Sequence, residues 1–201
     1  MSDAALRLSG VACARGGRLL FRGVDLTLEP GGSVLLKGPN GIGKSSLMRI
    51  CAGLLRATAG TVERRGRIAL ADERLALDAE QSLRAALGFW ARLDGADEGM
   101  LDRALEAMAL GRLGEVPVRM LSTGQRKRAA LARVIAGGAP IWLLDEPGNG
   151  LDDASVALLG AAVADHLAGG GIVVAASHQP LPLSAPVTLA LMDYAPVEEQ
   201  A

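Results

Sequence analysis

Rings are scarce in this chain of 201 residues: two Trp, two Phe and one Tyr, 2% of the sequence. A site that holds a flat base by stacking has few side chains to use. One-sided charge is also missing, since 21 Lys and Arg face 22 Asp and Glu for a formal net charge of -1. That balance excludes the basic field that draws a protein onto nucleic acid or anionic lipid. Cysteine is limited to Cys13 and Cys51, far apart and in apolar surroundings. Neither a disulfide framework nor a cysteine metal cluster can be built from them, and both read as small buried hydrophobes in a reducing cytoplasm. No apolar run reaches bilayer length, so membrane work falls to a partner. The N-terminus, with Asp3 and Arg7, lacks the basic-then-apolar pattern of a signal peptide. What the chain does have is a 50% hydrophobic composition, enough for a substantial core in about one domain.

The rest is organised around Gly38, Pro39, Asn40, Gly41, Ile42, Gly43, Lys44, Ser45 and Ser46, which fit the phosphate-binding pattern G-x-x-x-x-G-K-[ST] without a gap. The flanks are those the pattern needs: Ser33–Lys37 reads as a short buried strand, and Leu47–Leu54 as a helix with a broad apolar face. Glycines let successive N–H groups turn toward phosphates, and the helix opening at Lys44 adds the positive end of its dipole. Lys44 is expected on the β- and γ-phosphates of a nucleoside triphosphate and the Ser45 hydroxyl on Mg²⁺, with Ser46 facing the helix interior.

Upstream, Leu6–Ala12 and Val24–Glu29 alternate like antiparallel strands with one wet face. Cys13–Arg18 reads as a glycine-containing loop between them. Two readings stand for Arg15, a guanidinium plane laid on adenine or a solvated hairpin arginine. Downstream, Thr61–Arg64 and Arg67–Leu70 read as further strands around Gly66. The period then lengthens to that of helices: Asp78 is expected to cap a helix carrying Leu83, Leu87 and Trp90, and a second runs from Met100 to Leu110.

Leu121-Ser122-Thr123-Gly124-Gln125 runs directly into an Ala/Leu/Arg helix. Read alone it is a capping loop, and its free N–H groups also make a second anion site. Ile141–Leu144 is an apolar strand delivering Asp145 and Glu146 at its end, where open parallel sheets place their ligands. Asp145 is expected in the Mg²⁺ shell, and Glu146 is expected to orient and polarise the attacking water. A helix over 154–167 and a buried strand over 171–178 follow, with His178 at the strand's exit. Either His178 meets the γ-phosphate or it is an ordinary loop histidine; His166 fits the ordinary case.

The phosphate loop, Leu121–Gln125, the Asp145-Glu146 strand, Leu151-Asp152 and His178 occur in the order found in the ATP-binding-cassette ATPases, which the chain resembles over essentially its whole length. More narrowly, Cys13-x-Arg15, Leu121–Arg128 and Ser177-His178-Gln179-Pro180-Leu181 resemble the haem-exporter ATPases of cytochrome c biogenesis. The resemblance implies a P-loop NTPase core with a mixed α/β sheet and an antiparallel edge, about 1–73 and 139–201, and an inserted helical subdomain, about 74–138. It implies ATP with Mg²⁺ and a head-to-tail homodimer in which Ser122, Gly124 and Gln125 of one copy complete the site built on Lys44 of the other. It also implies membrane-embedded permease partners, placement at the cytoplasmic face of the inner membrane, and haem as the cargo of the complex.

The chain departs from the family pattern in three places. Thr123 replaces a glycine, no aromatic occupies the adenine loop, and the stretch after Leu70 reads Ala71-Asp72-Glu73-Arg74 where the family places a Mg²⁺-sensing glutamine. Glu73 is the expected substitute and a third metal-site residue. A soluble cassette ATPase acting on nucleic acid or the ribosome is the alternative function, but such proteins carry a long coiled-coil insertion or a second cassette. A small-molecule kinase would not need Leu121–Gln125.

Overall fold

The computed structural model describes residues 3–72, 76–178, 181–183 and 185–196. Eight strands and five α-helices are present among them. β1 (Ala5–Arg15), β2 (Arg18–Leu28) and β4 (Ala59–Arg65) form an antiparallel sheet in the order β2-β1-β4. The expected antiparallel edge is thus a sheet of its own. Its strands also run further than expected, because only Gly16 and Gly17 separate β1 from β2. Both glycines have positive φ, 56° and 79°, which is the two-residue hairpin turn that matches strand twist. Cys13 therefore lies buried in β1 rather than in a loop.

The second sheet is wholly parallel, in the order β5-β6-β7-β3-β8. Its strands are β3 (Ser33–Lys37), β5 (Ile68–Ala71), β6 (Ile141–Asp145), β7 (Ile172–Ala176) and β8 (Val187–Ala190). Both faces of a parallel sheet are covered, so its strands are continuous apolar runs. In β6, Ile141 and Leu143 face one core with α1 (Lys44–Cys51), while Trp142 and Leu144 face another. That other core holds α2 (Leu83–Leu93), α3 (Glu98–Ala107) and α4 (Thr123–Ala136). Among these helices α4 packs against both α2 and α3. Asp78 does not cap α2; its carboxylate accepts from the Glu80 amide in a local turn, and Ser82 caps the helix by accepting from Ala85 N–H.

The parallel register brings the carboxyl ends of the strands level. Ala71 pairs with Leu144 and Asp145 with Ala176, so the residues following β5, β6 and β7 emerge side by side next to the phosphate loop after β3. α5 (Asp153–Ala168) then returns the chain to β7, opened by Asp152, whose carboxylate accepts from Ser155 N–H. No helix among the described residues is long and apolar enough to cross a membrane.

Candidate active site

Residues 38–43 form the turn between β3 and α1, and Gly43 stands at the N-cap of α1 with φ 115°. A Cβ at Gly43 would sit 2.9 Å from the Phe21 ring, so both backbone angle and space require glycine there. No side chain caps α1, which leaves its first-turn amides to a ligand, the arrangement suited to a phosphate. A cavity of about 510 Å³ opens in front of them. Asn40, Gly41, Gly43, Lys44, Ser45 and Ser46 line it from the loop, and Asp145 and Glu146 from the end of β6.

The chain's chemistry converges on Lys44, which is 7% exposed. Its ammonium donates to the carbonyls of Gly38 (2.7 Å) and Pro39 (3.2 Å), so the loop aims the cation. His178 Nε2 stands 3.1 Å from Lys44 Nζ, 2.7 Å from Asn40 Oδ1 and 3.5 Å from Glu146 Oε1. One ring nitrogen cannot at once accept from Lys44 and donate to Asn40, so the imidazole's tautomer selects its partner. The backbone N–H of His178 donates to Glu146 Oε2 at 3.3 Å. The histidine expected at the exit of β7 is therefore part of the same cluster as the loop lysine and the second acid.

Glu146 carries a feature that no pattern announces: its φ is 50°, the left-handed region that non-glycine residues rarely adopt. Its N–H donates to Ala176 O at 2.9 Å, fixing the residue to the end of β7, and Oε1 is buried without a hydrogen-bond partner. A strained acid that lines a phosphate cavity is placed to act on a water there. Ser45 and Asp145 line the same cavity and supply the oxygen donors that Mg²⁺ prefers. Among the described residues no group of three His, Cys, Asp or Glu converges closely enough to hold an ion, so the donor set fits a metal that arrives with phosphate oxygens. Glu73 lies outside the described residues, as do Gln179 and Pro180.

Ser46, expected to face the helix interior, lines the cavity. Burial raises the Cys13 pKa, against the opposing charge of Arg15. Burial likewise pushes Cys51 in α1 up to about 12. Arg15 ends β1 exposed beside the hairpin, whereas Leu20, Arg49 and Asp72 line the cavity. Sequence reasoning missed these three. Leu20 looks like any apolar strand residue, Arg49 like a solvated helix residue, and the position of Asp72 depends on the β5-β6 register.

Ser122, Gly124 and Gln125 do not line this cavity. They open α4 in a capping box: Gln125 N–H donates to Ser122 Oγ at 3.2 Å and Ser122 N–H to Gln125 Oε1 at 2.8 Å. Ser122 is exposed, and nothing lies within 4 Å of where a Gly124 Cβ would stand.

Residues 21–149 match the model of the ABC transporter family. The cytochrome c biogenesis ATP-binding export protein CcmA of Sphingopyxis alaskensis is 61% identical over 173 residues, covering 86% of this chain and 89% of that protein. Its counterpart in Novosphingobium aromaticivorans is 56% identical over 196 residues, covering 98% of this chain and all of that protein. A putative ABC transporter ATP-binding protein from Pyrococcus furiosus superposes with a TM-score of 0.83 at 25% identity, over 96% of this chain and all of the other. With the phosphate loop and the two acids on one cavity and the exit histidine against Lys44, Asn40 and Glu146, the chain belongs to the ABC transporter family, and within it to the ATP-binding export proteins of cytochrome c biogenesis.

Proposed function

We propose that this chain is the ATP-hydrolysing subunit of an ABC complex that exports haem for the maturation of c-type cytochromes, held at the cytoplasmic face of the inner membrane by permease subunits. The observation that carries the reading is the 61% identity to a cytochrome c biogenesis export ATPase across 86% of the chain. The clustering of His178 with Lys44, Asn40 and Glu146, three residues that line the cavity, supports the chemistry.

ATP is the substrate. Lys44 and the amides opening α1 neutralise its phosphates, and the loop's hold on Lys44 Nζ preorganises that charge. Ser45 and Asp145 would hold Mg²⁺, which supplies charge neutralisation on the β- and γ-phosphate oxygens. Glu146 orients the attacking water and draws its proton, and His178 steadies Glu146 while facing the γ-phosphate. A second copy completes the site with Ser122, Gly124 and Gln125. Gly124 supports this step, since its own chain gives no reason for glycine there: no Cβ clash and no positive φ.

Purification of the tagged chain from membranes tests the assignment. Integral membrane subunits should come with it, and haem with them. Recovery of the chain with nucleic acid or ribosomes and no membrane protein would overturn it.

A further inference from the structure

The β1-β2 hairpin ends in a conflict of charge. Arg15 and Arg18 stand directly opposite one another across the Gly16-Gly17 turn, and both are exposed. Like charges paired in this way across two strands destabilise the pairing. Neither arginine forms an ion pair with an acid among the described residues. Arg18 also lines a groove of about 610 Å³, together with Leu20 of the hairpin, Asn40 and Gly41 of the phosphate loop, and Ala195 and Pro196. Leu20, Asn40 and Gly41 line the nucleotide cavity as well, so the groove and the cavity share a wall.

The described chain thus reaches Pro196 inside a groove that carries one of the two opposed arginines. Val197-Glu198-Glu199-Gln200-Ala201 comes next, with two acids and no cation. Five extended residues span up to about 17 Å, enough to run along the groove toward the hairpin tip. We propose that residues 197–201 fold back along this groove as an acidic strap, with Glu198 and Glu199 pairing with Arg15 and Arg18, and that the strap lowers nucleotide affinity. Its carboxylates put negative charge at the wall of the phosphate cavity, where they repel an incoming triphosphate. The docking stands on the groove and the charges; its effect on affinity rests on the reading of the cavity as an ATP site.

A nitroxide on Gln200→Cys in the full chain reports the strap directly, because Cys13 and Cys51 are buried, with pKa values raised by burial, and escape the label. At low salt the amide resonances of Gly16, Gly17 and Gly41 should broaden. Adding Glu198→Gln and Glu199→Gln, or raising the salt, should restore them. Without the label, the same pair of Gln substitutions should tighten binding of the non-hydrolysable analogue AMP-PNP by about two- to fivefold at low salt and leave it unchanged at high salt, the range for exposed ion pairs. Absence of broadening in the otherwise wild-type chain, or broadening that survives the loss of both acids, overturns the docking. Broadening seen only when nitroxide and isotope are on different chains gives the groove to a second copy and overturns it too. Docking with equal AMP-PNP affinity in wild type and Gln variant overturns the strap's effect on the nucleotide. A wild-type chain that binds no AMP-PNP at any salt overturns the reading of the cavity instead, and the broadening alone then decides the docking.

Discussion

At the scale of single residues, Glu146 concentrates the argument, because its position is decided by chemistry against backbone preference. Holding a glutamate at φ 50° costs on the order of 1–3 kcal/mol, and glycine would relieve it. Glu146→Gly should therefore abolish ATP hydrolysis without lowering the midpoint of thermal unfolding; phosphate release and a melting curve on the same preparation check both halves. Lys44→Ala removes the cation the loop is built to aim, and hydrolysis should fall by about 10²- to 10³-fold. Retained phosphate release in that variant would refute the site. Arg15→Ala addresses the base. If the exposed guanidinium stacks on it, ATP and GTP affinities should drop together; unchanged affinity for both in equilibrium titration would leave Leu20 and Arg49 as the cavity's contacts to the nucleoside. The phosphate loop, Asp145, Glu146 and His178 were legible because each sits at the end of a strand that the sequence pattern marks. Leu20, Arg49 and Asp72 were not, since they reach the cavity through pairing and packing between segments distant in sequence.

At the scale of elements, a pH-dependent contact joins α5 to β6. His166, in the last turn of α5, stacks on Trp142 with ring centroids 3.8 Å apart and planes 11° from parallel. Burial lowers its pKa below the ordinary 6.5, with the backbone of Ile172 and Pro140 opposing. The unfolded chain then binds the proton more readily than the folded one. The contact's stability is full above about pH 6.5 and is lost as pH falls through that value toward the lower folded pKa. Melting between pH 7.5 and 5.5 should cost the wild type more than His166→Gln; parallel losses would contradict the account. His166 was read from the sequence as an ordinary helix residue because nothing local reveals that residues 141–145 run beneath it. The same limit explains the other differences. Gly16-Gly17 was read as part of a longer loop although two glycines suffice for the turn, and Asp78 was taken for a cap that Ser82 provides four residues later. β8, only four residues long at the sheet's edge, follows the proline-containing stretch 180–186, and those prolines obscure the strand.

At the scale of the whole molecule, the account depends on two copies sharing each ATP. Lys44 and Glu146 line the cavity, whereas Ser122 and Gly124 open α4 outside it, so in the proposed dimer each chain would carry two half-sites. Glu146→Gln keeps shape and a hydrogen bond but loses the carboxylate that draws the water's proton, so ATP should close two copies and hold them closed. Gly124→Arg isolates the opposite half-site. Its Cβ enters open space, so the chain's own fold is undisturbed, and in the proposed dimer the side chain would block the place where the other copy's phosphates dock. The most direct test is light scattering of Glu146→Gln with MgATP, free and within the membrane complex, beside the double variant Glu146→Gln/Gly124→Arg. The account predicts a trapped dimer of the single variant that vanishes in the double. A trapped dimer that survives Gly124→Arg, or a Glu146→Gln chain that remains unpaired in solution and in the complex alike, would contradict it.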